Sequence, residues 1–212
     1  MAVLGFTFDL KEQLVFYGSY HNNRINQAIH FIFVPIIMWT VSVWLAYTPA
    51  IQTHHWFELV TDVDNRGYLI PNASFALILG CAIYYIVLDA VAGASWAVCI
   101  GLPMWWSSEA FRDVVPGAWA WAVGIHILGW VMQIYPGHML AEKRRPALMD
   151  SFFQSLVLAP LFVWFELLFL VGYRPLLRSE VESLVKANIE AYTSANESLV
   201  TKQLWCLSYE SL

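Results

Sequence analysis

Charged residues are scarce in this chain of 212 residues, where they make up only 13% of the total. An ordinary soluble domain contains about 25% charged residues and about 45–50% apolar ones. Hydrophobic residues here reach 59%. A single soluble domain has too little interior to bury that much apolar surface. The composition therefore predicts a protein that lies in a membrane.

Paired cysteines and a broad cationic surface are also missing. The three cysteines are scattered and none forms a Cys-x-x-Cys pair, which argues against a thiolate zinc or iron–sulfur site. The net charge is −5, and the longest basic run is Lys143-Arg144-Arg145. Nucleic-acid binding needs a wider basic patch than this. We therefore expect no nucleic-acid partner.

Long apolar segments dominate what is present. Five of them approach or reach the length of about 20 residues that a membrane-spanning helix needs. They cover residues 27–47, 72–89, 91–106, 117–135 and 152–173. Gly93, Gly101 and Pro103 interrupt the third segment, so segments two and three form either two tightly connected helices or a re-entrant hairpin. The predicted fold class is all-α, a polytopic membrane helix bundle with about four or five spans.

Polarity divides the chain into a membrane part and a tail. Residues 1–173 are expected to form a membrane-embedded catalytic domain, and residues 174–212 a mostly polar, partly helical C-terminal tail. The basic run named above places its loop in the cytosol, by the positive-inside rule. Counting five spans puts the tail on the opposite side, whereas Arg174 and Arg178 favour the cytosolic side. The sequence leaves the side of the tail open.

Four of the six histidines lie close to one predicted membrane face. His126 is in the middle of the fourth span and His30 is one turn into the first, while His21 and His138 lie just outside these spans. Ionisable residues at membrane depth are costly and imply a partner or a function. A single such histidine is more often a hydrogen-bonding link between helices than a metal ligand. Four together at one face favour a metal site.

The spacing of the first two histidines sets a condition on this convergence. His21 and His30 are nine residues apart, so on one straight helix they lie half a turn out of phase. They can bind one ion only if the helix breaks between them. The polar pair Asn22-Asn23 provides such a break.

The end of the fourth span carries the second pair. Pro136-Gly137 is expected to turn the chain there and to fold His138 back beneath His126. A helical turn after that point places Glu142 on the same face as His138.

A site built from imidazoles narrows the choice of metal. Neutral imidazole suits iron, copper, zinc and nickel, and no cysteine joins the set. Ligation by nitrogen leaves positions open for oxygen or substrate. Neighbouring polar groups are expected to fix the imidazole tautomers. The candidates for that role are Asn23, Asn26, Gln133 and Glu142.

Several stretches of this sequence resemble the motifs of a known family. They are Phe16 to His30 followed by Val34-Pro35, His126 to His138 followed by Glu142 to Leu148, and Ala159 to Phe162 with Glu166. The family is the membrane 2-hydroxy fatty acid dioxygenases, and the resemblance covers roughly residues 9–172. Three features depart from its pattern: the residues directly before Gly137, the polar loop of residues 48–71 and the long polar tail.

The resemblance implies an Fe(II)-dependent enzyme of the endoplasmic reticulum that uses O2 to shorten 2-hydroxy fatty acids by one carbon. In the family this reaction serves fatty acid α-oxidation and sphingoid base degradation. The iron ligands that the resemblance implies are His21, His30, His126 and His138. Asn26, Gln133 and Glu142 are expected to support them as neighbouring polar groups.

Two other functions fit the same residues. His30 and His126, on two different spans, are placed to be the axial ligands of a haem. A non-enzymatic membrane scaffold or transporter would use the histidines as links between helices. A di-iron hydroxylase is disfavoured because its clustered His-x-x-His-His pairs are absent. His54 and His55 lie in the loop on the opposite face and are not part of the predicted site.

Overall fold

The computed structural model describes residues 8–51, 67–146 and 152–209, and it describes side chains in these ranges except at 152–155 and 196–209. Every regular element in these ranges is helical, which confirms the all-α class. The α-helices are α1 (Leu10–Gly18), α2 (Arg24–Leu45), α3 (Ala73–Leu88), α4 (Ala90–Trp96), α5 (Leu102–Val114), α6 (Ala118–Met132), α7 (Phe152–Leu170) and α8 (Pro175–Tyr209). Two π-helical segments, π1 (Ala97–Gly101) and π2 (Gln133–Glu142), continue α4 and α6.

Among the described residues, two helical stretches are long and apolar enough to cross a membrane. They are α2 and the continuous stretch Ala90–Val114, formed by α4, π1 and α5. The apolar helices Ala73–Leu88 and Leu156–Leu170 are shorter. All five apolar segments are thus helical, while the number of four or five spans stays a prediction. Gly101 and Pro103 do not interrupt the third segment, because the helix continues through both.

A one-residue break separates α3 from α4. Asp89 is extended there, and its carboxylate accepts a hydrogen bond from the backbone N–H of Ala92 at 2.9 Å. A Cβ atom on Gly93 would lie 2.2 Å from the backbone nitrogen of Ile86, so only glycine allows this close pairing. Arg174, in the turn between α7 and α8, donates to the same carboxylate at 2.6 Å. Residues 72–106 therefore form two tightly connected helices, and the choice between two spans and a re-entrant hairpin stays a prediction.

The tail helix α8 packs beside α1 and runs parallel to it. Lys11 of α1 pairs with Glu180 at 3.2 Å, and eight residues further along both helices Asn188 donates to the Ser19 hydroxyl at 3.2 Å. The tail therefore lies at the end of the bundle where α2 begins. The basic run lies at the same end, and the side of the membrane on which the tail lies stays a prediction.

The basic run also contacts the tail. The Arg144 guanidinium lies between the rings of Tyr20 and Tyr192, 4.2 Å and 4.0 Å from their centroids. It donates to the backbone carbonyl of Ser19 at 2.6 Å. Cation–π contacts on both faces hold this side chain in place. The run, the tail and the turn between α1 and α2 thus form one surface.

A buried apolar core positions α1 and the turn that follows it. It joins α1, α3, α4 and α7, and its largest fully buried members are Trp96, Tyr17, Tyr85 and Phe165. The Tyr85 hydroxyl finds its partner in the carbonyl of Val157 at 2.6 Å. Because α1 is fixed in this core, the residues directly after it are held against the rest of the bundle.

Candidate metal centre

Three of the four predicted histidines form a buried cluster. One ligand atom from each of His21, His30 and His138 lies within 4.8 Å of the others. The ring centroids of His21 and His30 are 4.4 Å apart. The ring centroid of His138 lies 4.8 Å from that of His21 and 5.0 Å from that of His30. All three side chains are at most 4% exposed. In the part of the chain that the structure describes, no other group of three potential ligands comes together.

The predicted break between the first two histidines is confirmed. α1 ends at Gly18 and α2 begins at Arg24. The side chain of Asn23 caps α2 by accepting hydrogen bonds from the first backbone N–H groups of the helix. This change of direction brings His21 back to His30, which one straight helix would not allow.

Backbone carbonyls fix the tautomers of these two histidines. His21 Nδ1 lies 2.9 Å from the carbonyl oxygen of Tyr17, and His30 Nδ1 lies 3.0 Å from that of Asn26. A carbonyl oxygen can only accept, so each Nδ1 carries the proton. The unprotonated Nε2 is then the atom free to bind a metal.

The third histidine arrives on a π-helix instead of a turn. The prediction that Pro136-Gly137 turns the chain is wrong, because π2 continues to Glu142. The wider turn of a π-helix absorbs an extra residue, and such segments are frequent at functional sites. A Cβ atom on Gly137 would lie 2.6 Å from Asn26 Oδ1. Glycine therefore allows the close approach of π2 to α2 that places His138 in the cluster.

Glu142 joins the same two segments from the side. Its carboxylate accepts hydrogen bonds from the backbone N–H groups of Asn22 and Asn23, at 3.1 Å and 2.9 Å. Asn26 Nδ2 donates to it at 3.0 Å. Both oxygens are thus engaged with protein donors. Glu142 and Asn26 therefore lie beside the three histidines and connect the segments that carry them, and their supporting role stays a prediction.

Several buried polar atoms beside the cluster have no partner. They are Gln133 Nε2, His138 Nδ1 and Asn26 Oδ1. Buried polar groups in native proteins are almost always paired, so unpaired ones at one place indicate a site that binds something. Burial lowers the pKa of His21 and, helped by the nearby His30, lowers the pKa of His138 to about 3. Both imidazoles are therefore neutral, which is the form that binds metals.

An apolar cavity of about 160 Å³ borders the histidines. Besides the three histidines and Gln133, its wall includes Tyr17, Val34, Met38, Leu77, Cys81, Trp130, Leu156 and Pro160. Tyr17 is not among the predicted site residues. Its ring stacks on His21 with a centroid distance of 3.9 Å. The sequence signals for it are its place in the first family motif and its position one turn before that histidine. The cavity therefore places an apolar wall directly beside the three imidazoles.

His126 does not join the other three histidines. Its Nδ1 lies 2.8 Å from the Thr40 hydroxyl, and its Nε2 accepts from the Trp130 indole N–H at 2.9 Å. With both ring nitrogens engaged, the residue offers no free atom to a metal. The same bonds argue against a haem held by His126 and His30. The predicted non-site pair in the 48–71 loop, His54 and His55, lies outside the described residues.

Comparison with known proteins agrees with the motifs. Residues 7–171 match a family described as 2-hydroxy-palmitic acid dioxygenase Mpo1-like. The chain is 34% identical over 176 residues to the 2-hydroxy-palmitic acid dioxygenase MPO1 of Saccharomyces cerevisiae, covering 82% of this chain and 88% of the yeast protein. No solved structure matches. The chain belongs to the Mpo1-like family of dioxygenases.

Proposed function

We propose that this protein is an Fe(II)-dependent dioxygenase that removes C1 from 2-hydroxy fatty acids. The observation that carries the proposal is the buried three-histidine cluster at one end of an apolar cavity. The substrate class follows the name of the yeast relative. The reaction RCH(OH)COOH + O2 → RCOOH + CO2 + H2O balances without an external reductant, because the substrate supplies all four electrons.

The donor set fits iron. His21, His30 and His138 would hold it through neutral imidazole nitrogens, a ligand type that iron accepts. Three protein ligands leave positions open for the substrate and O2. Bound Fe(II) would supply a template for an α-hydroxy acid and O2 and a path for electrons between them.

The chain's own residues supply binding and orientation. Gln133 Nε2 is a buried donor in the cavity wall with no protein partner, so it is suited to bind the substrate carboxylate or hydroxyl. The apolar wall takes the acyl chain and excludes water. Glu142 and Asn26 hold the two ligand-bearing segments together. Positioning of this kind lowers a barrier by several kcal/mol, on the order of 7–11 at best.

The proposed location is the endoplasmic reticulum membrane, with several spans and with 2-hydroxy acids from sphingoid base breakdown among the substrates. The apolar α2 and the long Ala90–Val114 stretch support membrane insertion. A cavity between membrane helices admits a lipid substrate laterally while its polar head stays near the membrane surface. The organelle and the pathway rest on the family resemblance.

The test is turnover by the purified protein. The protein is isolated without oxygen, loaded with Fe(II) and mixed with 2-hydroxypalmitate and O2. We expect one fatty acid shorter by one carbon and one CO2 for each O2 consumed, with ordinary palmitate inert. Folded, iron-loaded protein that oxidises no 2-hydroxy acid would leave the membrane scaffold as the better function.

A further inference from the structure

The side wall of the cavity contains one large side chain with an unusual support. Trp130 lies one turn before Gln133 on the continuous helix formed by α6 and π2, and both side chains line the cavity. If the substrate head binds at Gln133, the Trp130 ring lies beside the first few carbons of the acyl chain, because one helical turn advances about 5.4 Å. Its position therefore sets the width of the cavity close to the reacting carbon.

A chain of hydrogen bonds fixes this ring. The Trp130 indole N–H donates to His126 Nε2 at 2.9 Å. Since Nε2 accepts, Nδ1 carries the proton and donates to the Thr40 hydroxyl at 2.8 Å. That hydroxyl donates in turn to the backbone carbonyl of Ile37 at 2.7 Å. Every donor in this series has an acceptor. The last acceptor, the carbonyl of Ile37, lies on α2, across the cavity wall.

The packing around the series leaves the ring little freedom. Trp44 packs against the other side of the His126 imidazole, with the ring centroids 4.8 Å apart. A Cβ atom on Gly129, directly before Trp130, would lie 2.8 Å from the Ile37 side chain. α6 and α2 are thus in close contact beside the tryptophan. A ring held at its N–H and packed at its base keeps one rotamer.

We propose that Trp130, held in place by His126 and Thr40, restricts the cavity to unbranched acyl chains. Trp130 is the specificity-determining residue, and His126 is a positioning residue that acts through it. The proposal rests on the proposed function, since it requires that the cavity holds the acyl chain. It gives the fourth histidine of the motif a role that needs no contact with iron.

The experiment measures the binding of two ligands to the full-length protein loaded with Fe(II) and kept free of oxygen. They are 2-hydroxypalmitate and the same acid with a methyl branch at C4, each displacing a fluorescent fatty acid. The ratio of the two dissociation constants reports the width of the cavity. Iron per protein is measured in the same samples. The variants are Trp130→Ala, Trp130→Phe, His126→Leu and, as the control, Trp121→Ala, which removes an outward, 62% exposed tryptophan from the same helix.

We expect the wild-type protein and Trp121→Ala to prefer the straight chain by about 10–200-fold, the range that one misplaced methyl group gives in an apolar pocket. In Trp130→Ala the ratio falls to near one. In His126→Leu and Trp130→Phe it falls to an intermediate value, because the ring or its phenyl replacement remains but is no longer held. Iron per protein is unchanged in all of them. Trp130→Phe keeps the ring packing, so it serves if the alanine variant does not fold.

Three results would overturn the inference. A wild-type ratio near one, or a ratio that Trp130→Ala and Trp130→Phe leave unchanged, means that the tryptophan does not set the width. Loss of iron in His126→Leu means that this histidine is a ligand. Failure of the wild-type protein to bind either acid would also overturn the proposed function, whereas tight binding without selectivity would overturn this inference alone.

Discussion

The three-histidine cluster and His126 differ in how their ring nitrogens are used. In the cluster, one ring nitrogen of His21 and of His30 donates a hydrogen bond to a backbone carbonyl, and the other ring nitrogen is free. Further buried polar atoms without partners lie beside the two rings. Around His126 both nitrogens are bonded and every donor in the series has an acceptor. Membrane depth therefore predicts that a histidine has a function, and a ring nitrogen without a hydrogen-bond partner distinguishes a metal ligand from a structural link between helices.

Removing a cluster histidine tests this difference with the largest expected effect. His30→Ala removes one of the three proposed iron ligands, so we expect oxidation of 2-hydroxypalmitate to fall by more than about 100-fold. O2 consumption and the shortened acid are both measured. His126→Leu is the matched variant and keeps measurable turnover of the straight-chain acid. Equal loss in the two variants would erase the distinction.

Glu142→Gln weakens the support of the cluster without touching the ligands. Its carboxylate accepts hydrogen bonds from two backbone N–H groups in the turn between α1 and α2 and from the Asn26 amide on α2. The uncharged amide of glutamine has only one acceptor oxygen, so it cannot accept all three bonds as strongly. We expect iron affinity to fall by about 10–100-fold, as for other groups that orient metal ligands. Competition with a chelator measures it.

The control for that variant is Glu190→Gln, an exposed glutamate on α8. Its iron affinity is expected to equal that of the wild-type protein. Unchanged affinity in Glu142→Gln would show that the carboxylate does not hold the site together.

Gly137→Ala tests the close approach of π2 to α2. The added Cβ atom would lie 2.6 Å from Asn26 Oδ1, so the segments must separate, at a cost of about 1–3 kcal/mol of folding stability. We expect a lower melting temperature together with weaker iron binding. Gly124→Ala, on α6 with open space around its Cβ position, is expected to be neutral or stabilising. A stable, fully metal-binding Gly137→Ala protein would contradict this account.

Thr40→Val gives the smallest effect and tests the other side of the comparison. The substitution keeps the shape of the side chain and removes the acceptor of His126 Nδ1. We expect a loss of about 1 kcal/mol in folding stability with iron binding unchanged. Thermal unfolding and iron analysis of the same preparation check both parts. A loss of iron larger than the loss of stability would tie Thr40 to the metal site instead.

Apolar runs were sufficient to predict the helices, since any segment this apolar and this long needs internal backbone hydrogen bonds in a membrane. The break at Asn22-Asn23 was also predictable, because asparagine caps helices. The helical conformation after Pro136 was not predictable, because Pro-Gly usually marks a turn and the π-helix depends on packing against α2. Of the two partners of His126, Trp130 lies four residues along the same helix, but Thr40 lies on a different helix and was not predictable.

Iron content measured in variants of the four histidines decides which of them bind the metal. Wild-type protein, His21→Ala, His30→Ala, His138→Ala and His126→Leu are loaded with Fe(II) under identical conditions, freed of excess metal and analysed for iron per folded chain. We expect about one iron per folded chain in the wild-type protein and in His126→Leu. The three alanine variants are expected to lose most of their iron. Retention of iron by the three, or equal loss in all four, would contradict this expectation.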